Sequence, residues 1–563
     1  MSKLVLICAR NRLPVDPDGL RLLLRNLSPD NIVPREPKIL HQGNLLIGIF
    51  NPADTIAVAG MSVCLGHMCG DGSGRWAPES AKPDGTYALF RVDETYLELV
   101  SDTVGSRTIW YIDTGDVFIA STSQRAIVSL LGSFSFNEQV IPWVLSSGTL
   151  GPDLSWDRRI KRLSGDSSLL LNRGTWEITV KKEYVRYTPE NRPAEVFKDE
   201  LSAALENIIE DLKIDVEKWV LPLSGGYDSR AMLLTLLSMN KKPRCITWGT
   251  EAALHDKKSD AGIALALTQH LGLDFNYFMT DLSTESVESI FTRFLAAGEG
   301  RIDNIAGYMD GFKIWKHLYE SGCTGVIRGD EAFGDWAVTS DIQVLDNVGF
   351  TILNDFANLK PFYFIAERYG QERPKHLEQG ADETREQWRD RINIEFEHPV
   401  KLAALNDLKL PYVEIVNPLL SRKLLSVVFR MPDELRSDKN VFKQLVKTKL
   451  PQIPFAERSA IATQKGILET KRVRDYLIQE LDTESARTLL STEMVNHVLQ
   501  ALSDESNHRS IVNERIGALV NAAKRKLLSR NELVLNGCLL AFRAYMIVKM
   551  NQMLETDAAL LRH

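Results

Sequence analysis

The segment Ser224-Gly225-Gly226-Tyr227-Asp228-Ser229 concentrates the chemistry of this chain. It follows Trp219-Val-Leu-Pro-Leu223, an apolar run that reads as a short buried strand, and leads into a helical pattern over Ala231–Ser238. Two glycines let the backbone turn closely and point N–H groups into the turn. The helix start adds a dipole that favours anions. Ser224 and Ser229 supply hydroxyl donors. Asp228 would repel a phosphate by itself, so its presence argues for a bridging Mg²⁺. The residue types and their order therefore point to a nucleotide polyphosphate held by Leu223, Ser224, Gly225, Gly226, Asp228 and Ser229. The loop lacks the Gly-x4-Gly-Lys-Ser/Thr of a Walker A motif. The plain alternative is a glycine-rich turn in which Asp228 caps the helix.

The order strand, Ser-Gly-Gly-Tyr-Asp-Ser, helix resembles the pyrophosphate loop of the ATP pyrophosphatase group, whose members split ATP between the α and β phosphates and form an adenylate. Further segments make the chain similar to the asparagine synthetase family, which includes β-lactam synthetases and lasso-peptide cyclases. Gly329-Asp330-Glu331-Ala-Phe333-Gly334 resembles the family's Gly-Ser-Asp-Glu-x-Phe-Gly, and this implies that Asp330 is a second Mg²⁺ ligand beside Asp228. Glu414-Ile-Val-Asn-Pro418-Leu-Leu-Ser is similar to the family's helix entry Glu-x-Arg-x-Pro-Phe-Leu-Asp. Lys439-x-x-Phe442-Lys443, then Leu450-Pro451 and Arg458, follow its Lys-x-x-Leu-Arg…Leu-Pro…Arg stretch. Asp102-Thr-Val-Gly105-Ser-Arg107-Thr-Ile-Trp110-Tyr111 resembles its Asp-x-x-Gly-x-Arg-Pro-Leu-Tyr-Tyr. The likeness spans roughly residues 85 to 465. It implies ATP and Mg²⁺ as cofactors, Gly329 at the nucleotide, and Glu331, Arg458 and a lysine among the catalytic groups.

The departures narrow the expected reaction. Glutamine-dependent members use a cysteine exposed at the start of the mature chain. Here Ser2 follows Met1, and the nearest cysteine, Cys8, lies in an expected strand. The family's Asn-Gly-Glu segment gives way to His41-Gln-Gly43-Asn44 and Asn51-Pro52. The first part is therefore expected to keep an N-terminal-nucleophile (Ntn) hydrolase shape without glutaminase chemistry. Ile327 stands where relatives place a Glu or Tyr base. Ser459 and Ala460 follow Arg458 where the family has its transition-state lysine. Lys465, in Thr463-Gln464-Lys465-Gly466, takes that assignment, with a solvated surface lysine as the alternative.

Other residues invite roles by position. Arg293, Glu299, Arg301 and Asp303 precede the Gly-Asp-Glu loop, where an acceptor pocket would lie; a charged surface loop is the alternative. Arg328 would hold a phosphate or a carboxylate, or pair with a nearby acid. His255 and Asp256 follow the second strand of the second half. Trp248 would neighbour adenine or serve the core.

These groups need elements to position them. Up to about residue 190, short alternating runs separated by loops of Gly, Pro, Asp and Ser read as antiparallel strands: Leu4–Cys8, Asn44–Phe50, Tyr87–Val92, Tyr96–Val100, Thr108–Ile112, Val117–Ala120, Ser168–Leu171 and Trp176–Val180. Helical patterns stand at Leu20–Leu27 and Ser123–Leu131. Pro189–Pro193 reads as a linker. Strand and helix then alternate, Trp219–Leu223, Arg244–Trp248, Phe275–Met279 and Val326–Ile327 being strands of a parallel sheet. From about 335 onward the chain reads as helical, with the charge run Glu372–Glu397 as a solvated face. The expected fold is an α+β domain of sandwiched antiparallel sheets over 1–190, Ntn-hydrolase-like and inactive as a glutaminase. An α/β domain of ATP-pyrophosphatase type with many C-terminal helices follows over 194–563.

With 563 residues, 44% apolar and 25% charged, the chain is ordinary globular material. A net charge of −7 without a basic stripe speaks against nucleic acid as partner. No run of 18 apolar residues offers a membrane span, and the cytoplasm is the expected location. Of the six cysteines, Cys64 and Cys69 flank His67, but no second Cys/His pair follows at zinc spacing. The expected activity is AMP-forming amide ligation, first of all by a lasso-type macrolactam cyclase. Its substrate would be a small molecule or peptide bearing a carboxylate and an amine, with a partner protease or leader-binding protein. A β-lactam-synthetase-like or ammonia-dependent asparagine-synthetase-like ligase, a tRNA-modifying ATP pyrophosphatase and a nucleotide-binding pseudoenzyme scaffold are the alternatives.

Overall fold

The computed structural model describes residues 3–54, 56–70, 73–280, 283–450, 452–508 and 533–561. Twelve strands build the first part: β1 (Lys3–Ala9), β2 (Lys38–Gln42), β3 (Leu45–Phe50), β4 (Ala57–Ala59), β5 (Ser62–Met68), β6 (Gly85–Val92), β7 (Tyr96–Ser101), β8 (Ile109–Asp113), β9 (Val117–Ser121), β10 (Lys161–Leu163), β11 (Ser167–Asn172) and β12 (Ile178–Lys182). They form two six-stranded antiparallel sheets, ordered β10-β8-β9-β1-β3-β2 and β12-β11-β7-β6-β5-β4. Leu4, Leu6 and Ile47 of the first sheet meet Leu65, Phe90 and Leu99 of the second in one core. The other face of the first sheet, with Val5, Ile7 and Leu46, packs on helices. β1 is thus buried on both faces, which explains why it reads as a continuous apolar run rather than an alternating one.

The eight expected strands all appear. β2, β4 and β10 escape the sequence reading because they are edge strands that bury few side chains, and β5 because Ser, Cys, Gly and His dilute its pattern. The expected linker is tied down. Val185 N donates to Glu395, Thr188 N to the Phe429 carbonyl and Glu190 N to the Arg430 carbonyl, at 2.9, 2.9 and 2.8 Å.

The second part holds a parallel sheet of β13 (Trp219–Pro222), β14 (Arg244–Gly249), β15 (Phe275–Met279), β16 (Gly325–Ile327) and β17 (Glu414–Val416), ordered β15-β14-β13-β16-β17. The chain first winds outward from β13 to β15 and then restarts on the other side at β16. That reversal opens a crevice between the carboxyl ends of β13 and β16. Glu414–Val416, expected as a helix entry, is a fifth strand, and Pro418 opens the turn that leads to the helix Arg422–Val428. The expected solvated face around 372–397 is only partly so: Arg389 and Asp390 are buried, because Asp390 pairs with both Arg389 and Arg436 at 2.7 Å.

The two parts share a core. The last helix, Gly537–Asp557, is buried nearly all round and packs against the helices Gln124–Leu131 and Val140–Ser147 of the first part and Lys471–Leu481 and Thr492–His508 of the second. Buried ion pairs cross the seam: Lys3–Glu299 at 3.0 Å, Arg125–Asp557 at 2.7 Å and Arg107–Glu414. No described helix is long and apolar enough to cross a membrane.

Candidate functional site

The loop after β13 and the loop after β16 face each other across the crevice. Gly226 caps the helix Tyr227–Ser238 with extended backbone, which places Asp228 in its first turn. Ser224 N donates to Ser229 Oγ at 3.0 Å, and Gly226 N donates to Ser224 Oγ at 3.2 Å. Gly225 N donates to Asp260 at 3.1 Å. The glycine at 225 is required by close approach: a Cβ there would sit 2.3 Å from Ala456 Cβ and 3.0 Å from Ile263 Cβ. Gly329 lies against the start of the same helix, where a Cβ would come within 3.1 Å of the Asp228 carbonyl carbon and Ser229 N.

Asp228, Asp330 and Glu331 each have a cation. Arg328 grips Asp330 with two bonds of 2.8 and 3.1 Å. Burial works against ionisation of Asp330, but Arg328 outweighs it and holds the carboxyl below its ordinary range. Lys439 Nζ stands between two carboxylates, 3.1 Å from Asp228 and 2.5 Å from Glu331. Burial pushes both of these carboxyls up against the pull of Lys439, and a neighbouring acid adds to it, Asp330 at Asp228 and Asp228 at Glu331. Behind this cluster Lys409 is buried, its Nζ donating to the Leu405 carbonyl at 2.7 Å and lying 5.8 Å from the Trp315 ring. Burial, reinforced by Arg328, lowers its pKa to about 7.

Two connected spaces meet at Asp228, Gly329 and Asp330. The smaller, about 270 Å³, is a slot between Leu223 and Ser224 on one side and Ile246, Thr247 and Trp248 on the other, closed by Ser459–Ile461. Trp248 meets Trp315 edge-on at 5.6 Å. The larger is a chamber of about 1680 Å³. Its walls come from residues 146–149 of the first part, 302–304, the loop 329–331, the helix 393–402 and the last helix at Leu539 and Arg543.

Of the residues singled out in the sequence, Leu223, Ser224, Asp228, Ser229, Trp248, Gly329, Asp330 and Glu331 gather here. Lys465 stands on the chamber wall, 64% exposed and 3.5 Å from Glu469. Arg458 lines neither space; it is 65% exposed and pairs with Asp256 at 3.0 Å. Its neighbours hold the loop through the backbone, Ala456 N donating to the Gly225 carbonyl at 3.0 Å and Thr250 N to the Ala460 carbonyl at 2.9 Å. The group Arg293, Glu299, Arg301 and Asp303 disperses. Arg293 pairs with Asp30 and Glu285, Glu299 with Lys3, Arg301 with Asp407, and Asp303 alone faces the chamber, 2.7 Å from Arg543. Cys8 is buried in β1, and burial raises its thiol pKa. Sequence reasoning missed Asp260, Lys409 and His398 and gave Lys439 no role, since each reaches the site from an element far along the chain.

Two carboxylates and phosphate oxygens are an ordinary Mg²⁺ donor set. Asp228 and Asp330 open onto the same space and are the two residues that could hold such an ion; among the described residues no group of three or more His, Cys, Asp or Glu side chains gathers for a metal.

No protein-family model matches the chain. No curated protein matches it either. Among solved structures it is similar to the allosteric regulatory enzyme of purine biosynthesis, at 8% identity and TM-score 0.22, over 50% of this chain and 80% of that one. It is also similar to glutamine phosphoribosylpyrophosphate (PRPP) amidotransferase from B. subtilis complexed with ADP and GMP, at 8% identity and TM-score 0.20, over 49% of this chain and 65% of that one. A likeness of this degree carries no argument.

Proposed function

We propose that the chain is an ATP-dependent, AMP-forming amide ligase. The observation that carries the reading is the convergence of the Ser-Gly-Gly loop and the Arg-Gly-Asp-Glu loop on one crevice at the reversal point of a parallel sheet. There a nucleotide-sized slot opens into a much larger chamber. The slot takes the adenosine of ATP between Leu223 and Trp248. Ser224, Ser229 and the loop amides take the β and γ phosphates, exchanging their present bonds to one another for bonds to phosphate oxygens. Asp228 and Asp330 would hold Mg²⁺, which would supply positive charge against the phosphate oxygens. Lys439, placed between Asp228 and Glu331, supplies a further positive charge at that end of the crevice. A carboxylate presented from the chamber attacks the α-phosphorus, pyrophosphate leaves, and an amine then displaces AMP. Most of the first step is placement and charge stabilisation, which fixed loops on a rigid sheet provide.

The chamber favours a large substrate. Ligand pockets usually span about 300–1,000 Å³, and this one holds about 1680 Å³. A peptide that carries both the carboxylate and the amine, closed into a macrolactam of the lasso type, fits that space better than aspartate and ammonia do. The buried Cys8 thiol supports an amine source other than glutamine. On this reading residues 1–190 are an Ntn-like domain without glutaminase chemistry, and 194–563 are the synthetase.

The test is release of AMP and pyrophosphate from ATP and Mg²⁺, measured with L-aspartate plus an ammonium salt and with candidate precursor peptides, in the unaltered chain and in Asp228→Asn. Stimulation by a peptide that disappears in the variant is the expected result. Stimulation by aspartate and ammonium would replace the cyclase by a small-molecule synthetase. Biological function that survives Asp228→Asn would make the chain a nucleotide-binding scaffold and refute the ligase.

A further inference from the structure

The wall of the chamber opposite the last helix is a π-helix of ten residues, Asn393–Leu402. Such widened helices are rare and gather at functional sites. Its wider turn brings residue i+5 over residue i. In that register His398 Nδ1 lies 2.8 Å from the Asn393 carbonyl oxygen. A carbonyl only accepts, so Nδ1 carries the hydrogen and the neutral ring keeps its lone pair on Nε2. His398 is 5% exposed and lines the chamber, and among the described residues no hydrogen bond to Nε2 is formed. The ring lines the same chamber as Gly329, Asp330 and Glu331, the loop at the candidate reaction centre.

We propose that His398 Nε2 accepts the proton of the attacking amine, an assignment that rests on the ligase reading. As the amine nitrogen bonds to the acyl carbon of the adenylate, the C–O bond to AMP breaks and its electron pair leaves with the phosphate. The N–H proton passes to Nε2, and products are the amide, AMP and an imidazolium that later loses its proton to water. The other chamber acids are less suited. Arg543 takes Asp303, Arg328 takes Asp330, Lys439 takes Asp228 and Glu331, and Asn393 donates to Glu397 at 2.6 Å. Asp346 remains, on the helix Asp341–Asn347. The charged groups that line the chamber with the ring include Asp330 from the β16 loop, Glu397 and Lys401 on its own helix, Asp346 on the helix Asp341–Asn347, and Lys465.

His398→Asn keeps a donor for the Asn393 carbonyl and removes the base. The substrate pair that releases AMP in the unaltered full-length chain is used for both halves of the reaction. Pyrophosphate exchange should stay within about twofold while amide formation falls at least about 100-fold, the usual contribution of a general base. Asp346→Asn should form amide within about twofold of the unaltered rate. Diethyl pyrocarbonate should modify His398 in the full chain without substrate. Unchanged amide formation in His398→Asn, a roughly 100-fold loss in Asp346→Asn instead, or a His398 inert to the reagent would each overturn the assignment. Absence of pyrophosphate exchange with every pair in the unaltered chain would instead refute the ligase reading, and the assignment with it.

Discussion

Lys409 makes the buried charge behind the crevice measurable. It is 4% exposed, has no carboxylate within ion-pair distance among the described residues, and is held only by the Leu405 carbonyl and the face of Trp315. Burial first, and Arg328 second, lower its pKa from 10.5 to about 7. Between those values the unfolded lysine is protonated and the folded one is not, so the unfolded chain binds the extra proton and stability rises with pH. The contribution is therefore complete above 10.5, declines as pH falls and is gone below about 7. At about 1.4 kcal/mol per tenfold change in proton affinity, the difference is about 5 kcal/mol. Lys409→Met keeps the length and apolar body of the side chain and removes the titration. With an unfolding entropy of about 2.1 cal/mol/K per residue, and the chain unfolding as one unit, 5 kcal/mol is worth roughly 4 °C in Tm. Scanning calorimetry should show Lys409→Met melting about that much higher than the unaltered chain at pH 7, with the gap closing toward pH 10. Parallel curves across this range, or a variant less stable at pH 7, would refute the argument and mean that Lys409 stays charged, supported by Asp330.

Two further outcomes follow from close contacts. Gly225→Ala should weaken MgATP binding by isothermal titration calorimetry and cost about 1–3 kcal/mol of stability, since neither Ala456 nor Ile263 can retreat. Adding Ala456→Gly should recover part of both losses, and an unchanged affinity in the single variant would contradict the packing. Removing either partner of the buried Arg107–Glu414 pair should cost about 3–5 kcal/mol, and replacing both with apolar residues much less than the sum, as read by a double-mutant cycle in urea. Additive losses would show that the pair does not act as a unit.

What could be read from the sequence was local. A strand, two glycines, an acid and a helix start are neighbours in the chain, so Ser224–Ser229 announces its own turn and its own chemistry. β15 carries the bounds expected for it, because Phe275–Met279 is a short apolar run between polar loops. The other side of the site is assembled across distance. His398 and Lys409 sit in the long excursion between β16 and β17, where buried charges such as Arg389 and Asp390 satisfy one another and mimic a solvated face. Lys439 lies 211 residues from Asp228, and no periodicity marks its approach. Lys465 and Arg458 are near neighbours in sequence, yet Lys465 reaches the chamber while Arg458 points away to Asp256.

The last helix has a consequence for how the protein is made. Gly537–Asp557 fills the seam between the two parts with Leu540, Phe542, Tyr545 and Ile547, and Asp557 completes the ion pair with Arg125. Chains grow at about 5–20 residues per second, so Gly537 follows Ser147 by roughly 20–80 s. Throughout that interval the helices Gln124–Leu131 and Val140–Ser147 wait with their apolar partner unsynthesised. The nascent chain therefore carries an open hydrophobic seam for that whole interval, and truncation ahead of Gly537 would leave the seam open permanently.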